Sequence, residues 1–415
     1  MIFLIIFAII LFIDIYTFKG IKLLLSNSSS RTKKIIYSIF WIVTGIMLLC
    51  VFGGYSFRST TRNVAVFNWY YYLFGAFVVI YMPKILFVIF HLIEDIIFGC
   101  VWTIKKLRKP KNVLLNRGKN ISRSTFLSKT GLILASVPFA SFAWGIAKGR
   151  FNFKIDRVKL AFPNLPEAFN GLRIVQISDI HIGSFNGFKS RVAEAIDMIN
   201  SQNPDIIFFT GDLVNNFYDE LEGWLPILAK MKAKTGKYSI LGNHDYGNYY
   251  HWTSERDKAE NLQKIKDAQA KLGFQLLNNQ SSILEKDGQR LAIIGVENWG
   301  HPPFPQYADY EKASKNVLDI PFKILLSHDP NHWEAKIMGK TDVDLTLSGH
   351  THGMQFGIHF DGFRWSPAQY KFPRWAGLYR ENKQFLYVNR GLGYIGYPGR
   401  VGMDPEITVI ELTTM

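Results

Sequence analysis

Apolar residues are distributed in two different ways along the chain. In the first 150 positions they come in long, nearly continuous runs. The first covers residues 1–18 and is broken only by Asp14, and the second is Ile35–Tyr55. Val64–Met82 opens on Trp69, Tyr70, Tyr71 and Tyr72, as a belt at the membrane–water interface would. Pro83 and Lys84 separate it from Ile85–Ile104, which Glu94 and Asp95 interrupt, and a weaker run with Pro138 inside it covers Gly131–Ala147. A hydrocarbon core ~30 Å thick takes ~20 helical residues, so the pattern predicts four or five membrane spans. Glu94 and Asp95 mark either a functional intramembrane site or an acidic pair turned toward the bundle interior.

From about Arg150 the pattern shortens. Strand-like runs appear at Leu172–Ser178, Ile206–Thr210, Tyr238–Leu241, Leu291–Val296, Phe322–Ser327, Leu345–Ser348, Phe385–Asn389 and Glu406–Leu412. Between the first two lies Lys189–Ser201, with Val192, Ile196 and Ile199 at helical spacing, and Arg256–Leu272 is a second helical candidate. Strands alternating with helices indicate an α/β domain. The expected division is a transmembrane region over 1–149 with basic loops, followed by a catalytic domain over 150–415. No internal repeat is evident.

Charge sharpens this division. The whole chain carries +15, but residues 1–150 hold 19 Lys+Arg against 3 Asp+Glu, a balance of +16, which leaves −1 for the remainder. Basic loops beside apolar runs suit anionic lipid headgroups. They give no basic face to the globular part, so nucleic acid is not an expected partner. Cys50 and Cys100 both lie in apolar runs, so the globular part has neither disulfides nor thiolate metal sites. No cleavable signal peptide is expected, because the chain starts apolar with no basic segment ahead of it. Counting basic residues leaves orientation ambiguous: with five spans, the five of 18–34 and the nine of 105–129 fall on opposite sides. Ser122-Arg123-Ser124-Thr125-Phe126-Leu127 resembles a twin-arginine export signal reduced to one arginine, which favours a globular domain outside the cytoplasm.

The chemistry lies at the strand ends. Five strand-like runs pass directly into metal-competent side chains: Asp179-Ile180-His181; Gly211-Asp212; Gly242-Asn243-His244-Asp245; His328-Asp329; and Gly349-His350-Thr351-His352-Gly353. Ligands of α/β sheets gather at the carboxyl ends of strands. Any one motif could be a turn or a structural histidine; the same placement five times over points to one site. Mixed nitrogen and oxygen donors suit Mn, Fe, Zn or Co, and two such ions clamp the attacking and leaving oxygens of an in-line displacement, with bound water deprotonated as the nucleophile. A carboxylate such as Asp212 can bridge the two ions.

The ordered set D-x-H, G-D, G-N-H-D, H, G-H-x-H resembles the calcineurin-like metallophosphoesterases over roughly Phe162–Leu412. The wording Leu165–Arg173 and Asn389-Arg390-Gly391-Leu392-Gly393 is similar to their membrane-linked bacterial branch. The resemblance implies a four-layer α/β/β/α sandwich and two divalent metal ions. It implies that Asp179, His181 and His352 bind the first ion, that Asp212 bridges, and that Asn243, His328 and His350 bind the second. His244 would contact the phosphate and protonate the leaving oxygen, with Asp245 orienting it.

Arg390 and Arg400, in glycine-rich loops, are candidates for holding substrate phosphate, or else form structural pairs. Trp299, His301 and the HPPFP stretch form either a substrate-side loop or a plain rigid one. His251, His332 and His359 read as structural. The expected function is hydrolysis of a phosphate ester on a phosphorylated small molecule or lipid. The alternatives are a pyrophosphatase acting on a nucleotide-activated lipid, a catalytically silent membrane scaffold, and a transporter, the last disfavoured because no paired broken-helix repeat is present. Oligomeric state is not legible.

Overall fold

The computed structural model describes residues 2–58, 63–107, 123–302, 304–360 and 363–415. They divide into two compact units, one of residues 1–58 and 72–144, the other of 59–71 and 145–415.

The first unit is helical. Its elements are α1 (Ile2–Leu24), α2 (Ser30–Arg58), most of α3 (Val64–Leu107) and most of α4 (Arg123–Ala147). All four helices are long and apolar enough to cross a membrane. The five apolar runs therefore make four helices, because Pro83 sits inside α3 rather than ending it. Proline is tolerated within membrane helices where neighbouring groups satisfy the freed backbone. Polar residues that interrupt the runs are paired. Asp14 is buried, with Lys84 Nζ at 2.6 Å and Tyr81 Oη at 2.8 Å. Asp95 accepts from Tyr16 and from Lys19, the latter at 2.9 Å. The Glu94 side chain and Ser122 lie outside the described residues.

The second unit holds two six-stranded sheets. Its strands are β1 (Lys154–Phe162), β2 (Leu172–Ile177), β3 (Ile206–Phe209), β4 (Gly236–Ser239), β5 (Gln275–Leu276), β6 (Gln280–Lys286), β7 (Gln289–Gly295), β8 (Lys323–Leu326), β9 (Leu345–Ser348), β10 (Ile358–Phe360), β11 (Phe363–Trp365), β12 (Gly377–Glu381), β13 (Gln384–Val388) and β14 (Glu406–Thr414). One sheet runs β1-β14-β2-β3-β4-β5, the other β12-β13-β9-β8-β7-β6, and β10 and β11 form a separate hairpin. The metal-competent motifs follow the central parallel strands β2, β3 and β4 of the first sheet and β8 and β9 of the second.

Of the strands that lead into the motifs, β3, β8 and β9 are buried throughout and β2 and β4 over their last residues, as continuous apolar runs require. Ile174, Ile206, Phe208, Ile293, Ile324, Leu326, Leu345 and Ile410 pack between the sheets. On the outer face of the first sheet, α5 (Lys189–Ser201) contributes Val192, Ile196 and Ile199, and α7 (Glu255–Lys271) contributes Ile265 and Ala268. Between these helices lies the short α6 (Leu225–Leu228), and α8 (Tyr310–Ser314) packs with Trp333 and Ile337 on the outer face of the second sheet. The expected four-layer order, helix, sheet, sheet, helix, is thus present. Burying one such side chain is worth roughly 1.5–3 kcal/mol, so the strands are held firmly enough for their ends to position chemistry.

Candidate metal centre

The strand ends turn sharply where they reach the site. Asp179, His181, Asp212, His350 and His352 all have left-handed backbones, with φ between 46° and 73°. For residues with a Cβ this costs roughly 1–2 kcal/mol each. The surrounding packing holds it, and the result is five side chains aimed at one point. Two glycines permit the close approach. A Cβ on Gly242 would lie 2.2 Å from Asp212 Oδ1, and one on Gly349 would lie 1.9 Å from Ser178 Oγ.

Seven side chains converge. His181 Nε2 is 3.1 Å from His352 Nε2 and 3.5 Å from Asp212 Oδ2. His352 Nε2 is 3.2 Å from Asp179 Oδ1. On the other side, His328 Nε2 is 3.3 Å from Asp212 Oδ2 and 3.0 Å from Asn243 Oδ1. His350 Nδ1 is 2.7 Å from the same Asn243 oxygen. Among the described residues, two groups have metal-binding spacing, Asp179–His181–His352 and Asp179–Asp212–His328. Asp179 belongs to both, and Asp212 Oδ2 lies between His181 and His328.

These residues suit divalent cations. His181 Nδ1 faces Asn215 Oδ1 at 3.0 Å and His328 Nδ1 faces the Thr210 carbonyl at 2.7 Å. An oxygen acceptor fixes the proton on Nδ1 and turns the Nε2 lone pair toward the cluster, the form a metal ligand needs. Among the described residues, the ion pairs of Asp179 and Asp212 are with imidazoles alone. Two buried carboxylates need positive charge. Burial lowers the His328 pKa, but the Asp212 carboxylate outweighs it and lifts the ring to about 10. Burial also lowers His181 and His350, which favours their neutral, ligating form.

His244 sits at the rim, partly exposed. Its backbone N–H donates to Asp212 Oδ1 at 2.8 Å, and its Nδ1 faces the Asn215 carbonyl at 2.8 Å. Its ring stacks on Tyr249, centroids 4.4 Å apart. Asp245 does not reach that ring. Its carboxylate accepts from the backbone amides of Leu213 at 2.8 Å, Gly242 at 2.9 Å and Asp212 at 3.0 Å. The expectation that Asp245 orients His244 is corrected: the G-N-H-D turn folds the aspartate back beneath the β3 loop, and Asn215 holds the histidine.

The two arginines make structural contacts, the second of the two readings given for them. Arg390 donates to Glu406 and Asp156 and lies 3.0 Å from His359 Nδ1. Arg400 is buried, donating to the Met403 carbonyl at 3.1 Å and the Arg390 carbonyl at 2.8 Å, with Nη2 3.1 Å from His352 Nδ1. Both guanidiniums are consumed by the protein, so neither presents a free fork to substrate. His332 is buried, with Nδ1 2.9 Å from Ser327 Oγ and its ring against Trp299, and is structural as read.

Asn215, Tyr249 and Phe372 went unread in the sequence. Asn215 stands just past Gly211-Asp212, where a polar residue after the apolar pair Leu213-Val214 is the one available signal. The Asn243 amide donates to the Tyr249 hydroxyl at 2.8 Å, which fixes which way the amide turns. Phe372 packs edge-on against His350, centroids 5.2 Å apart. Neither has a local signature: Tyr249 is one of several aromatic residues just after Asp245, and Phe372 comes from a loop remote from His350.

Comparison with known proteins follows the same division. Residues 172–354 match a family model described as calcineurin-like phosphoesterase. Residues 1–150 match one described as the transmembrane domain of a probable calcineurin-like phosphoesterase. An uncharacterized metallophosphoesterase of Bacillus subtilis, YkuE, is 32% identical over 71% of this chain and 98% of its own length. A metallophosphoesterase of Campylobacter jejuni is 26% identical over 90% of this chain and 99% of its own. UDP-2,3-diacylglucosamine pyrophosphatase LpxG of Chlamydia trachomatis is 30% identical over 55% of this chain and 81% of its own.

Proposed function

The chain belongs to the calcineurin-like metallophosphoesterases, and from that premise we propose that it hydrolyses a phosphate ester with two divalent metal ions. The observation that carries this is the convergence of seven nitrogen and oxygen donors from two sheets on one point, with the His181 and His328 tautomers set for ligation. Asp179, His181 and His352 would hold one ion and Asn243, His328 and His350 the other, with Asp212 between them. When bound, such a pair polarises the ester and activates water. His244, at the rim with Nδ1 held by the Asn215 carbonyl, aims Nε2 outward, and in its imidazolium form it would contact the phosphate and pass the Nε2 proton to the leaving oxygen. Asp245 acts further back, holding the loop that carries Asp212.

The test is chelation of the purified full chain in lipid nanodiscs, followed by return of Mn²⁺, Zn²⁺, Co²⁺, Fe²⁺ or Mg²⁺. Expected is recovered hydrolysis of aryl phosphate esters with close to two ions per chain. A folded protein that binds none would sink the reading and favour the silent scaffold.

Four spans also bear on the side of the membrane. They put the α1–α2 and α3–α4 connections on one side, flanked by Lys19, Lys22, Arg31, Lys33 and Lys34 and by the nine basic residues of 105–129. The other side has Arg58, Arg62, Lys148 and Arg150. The positive-inside rule then favours a catalytic domain outside the cytoplasm. Labelling of a cysteine placed at exposed Lys264 by a membrane-impermeant maleimide in intact cells checks this, and protection would reverse it. Beyond the reaction class, the lipid-directed name of the LpxG relative supports a phosphorylated lipid, including a lipid pyrophosphate, as substrate.

A further inference from the structure

The segment after the G-H-T-H motif carries an apolar surface that the metal centre does not use. Elsewhere in the second unit, Ile283, Leu318 and Met415 are exposed singly along the chain, and Phe304 and Tyr307 are exposed three positions apart. Between 354 and 370, Met354, Ile358, Phe360, Phe363 and Tyr370 are all exposed, Phe360 by 61% and Tyr370 by 79%. Phe360 and Phe363 stack across the β10–β11 hairpin with centroids 5.2 Å apart. Clustered exposed aromatics on a two-stranded hairpin mark a surface that meets something apolar. Exposed Arg364 and Lys371 rim the patch.

Two connections say what it meets. At the hairpin's base, Gly357 N–H donates to the Val401 carbonyl at 2.9 Å, and Phe356 pairs with Val401. The next residue, Arg400, donates its backbone N–H to the carbonyl of Gly145 at 3.2 Å. Gly145 lies in the last turn of α4, and the apolar stretch Phe126–Phe151 is long enough to be a span. A three-residue strand reaches only about 10 Å, so Phe360 and Phe363 stay close to Gly145. At its other end the segment touches the metal site, where Phe372 packs on His350.

We propose that the β10–β11 hairpin, with Met354 and Tyr370, rests in the headgroup layer of the bilayer that the helices span, and that the metal centre therefore acts on a phosphate carried by a membrane lipid. This rests on the phosphoesterase reading. Phe360 and Phe363 supply apolar burial at the headgroup–acyl boundary and the basic rim meets anionic headgroups.

The experiment uses the full chain in nanodiscs of phosphatidylcholine and phosphatidylglycerol with Mn²⁺ supplied. A bimane on Phe360→Cys, in a Cys50→Ser, Cys100→Ser background, should be quenched by doxyl-labelled lipid and shielded from aqueous iodide. Quenching by iodide alone, or by neither, as when a second protein covers the patch, overturns the docking. In parallel, Phe360→Asp with Phe363→Asp should leave hydrolysis of a soluble aryl phosphate unchanged and lower hydrolysis of a lipid phosphate or pyrophosphate in the disc by about tenfold or more. Phe360→Trp with Phe363→Trp should restore it. Equal loss on both substrates, no loss on lipid, or a wild type active on the soluble ester but on neither lipid overturns the substrate assignment. If wild type hydrolyses neither ester, the phosphoesterase reading fails, and the quenching result still decides the hairpin.

Discussion

The Asp245 carboxylate accepts the backbone N–H of Leu213 at 2.8 Å, and with the Gly242 and Asp212 amides this ties the β4 turn to the loop that carries the central aspartate. An aspartate adjoining the proposed catalytic histidine in sequence is thus a brace for a different residue. Asp245→Asn would turn an amide NH₂ toward backbone donors, leaving them unsatisfied at a cost of roughly 1–3 kcal/mol. Expected are a lowered unfolding midpoint and reduced metal content. Full metal occupancy with only the turnover changed would restore the histidine-orienting role.

His244 separates chemistry from metal binding. His244→Ala should leave metal content near that of the wild type while turnover falls by about 10²–10⁴, the usual contribution of a positioned proton donor. Metal analysis and initial rates on the same preparation check it, and undiminished turnover would remove His244 from the reaction.

Asn215 holds two imidazoles at once, His181 through its side-chain oxygen at 3.0 Å and His244 through its carbonyl at 2.8 Å. Asn215→Ala keeps the carbonyl and deletes the side-chain contact. Metal affinity should weaken about 10–100-fold, as when other partners of ligating histidines are removed, while the pH profile set by His244 stays in place. A competitive titration with a chelating dye reads the first effect, and unchanged affinity would show that packing alone orients His181.

His332 predicts a pH effect on stability. Burial, with Lys336 as a smaller contribution, lowers its folded pKa to about 4, against an ordinary 6.5. As pH falls from 6.5 toward 4 the unfolded chain takes up a proton that the folded chain refuses, so stability declines through that window and is fully present above it. The contribution lost by pH 5 is about 2 kcal/mol. Urea unfolding of wild type and His332→Gln at pH 7 and pH 5 should show the variant losing less by that amount. Parallel declines would place the acid sensitivity elsewhere.

The alternation of apolar and polar positions was enough to place β2, β3, β4, β7, β8, β9, β13 and β14, because each is either a continuous buried run or flanked by turn residues. It placed α5 and α7 because their buried residues recur at helical spacing. It missed β1 and β6, whose exposed, charged stretches Lys154–Phe162 and Gln280–Lys286 lack that contrast. It divided α3 at Pro83, since the groups that satisfy the backbone carbonyl freed by a proline come from surroundings that no local window contains.

The same boundary runs through the site. The sequence by itself determined which residues could be ligands, because metal chemistry restricts the donor types and strand ends restrict their places. It could not say that Asp179 and His350 come from different sheets, that five site residues sit in left-handed turns, or that Arg390, Arg400 and Asp245 spend their charges on the protein. Only the tertiary structure decided these. Donor identity is a property of one residue, whereas the direction a charge faces depends on which backbone groups and carboxylates the fold brings within about 3 Å of it.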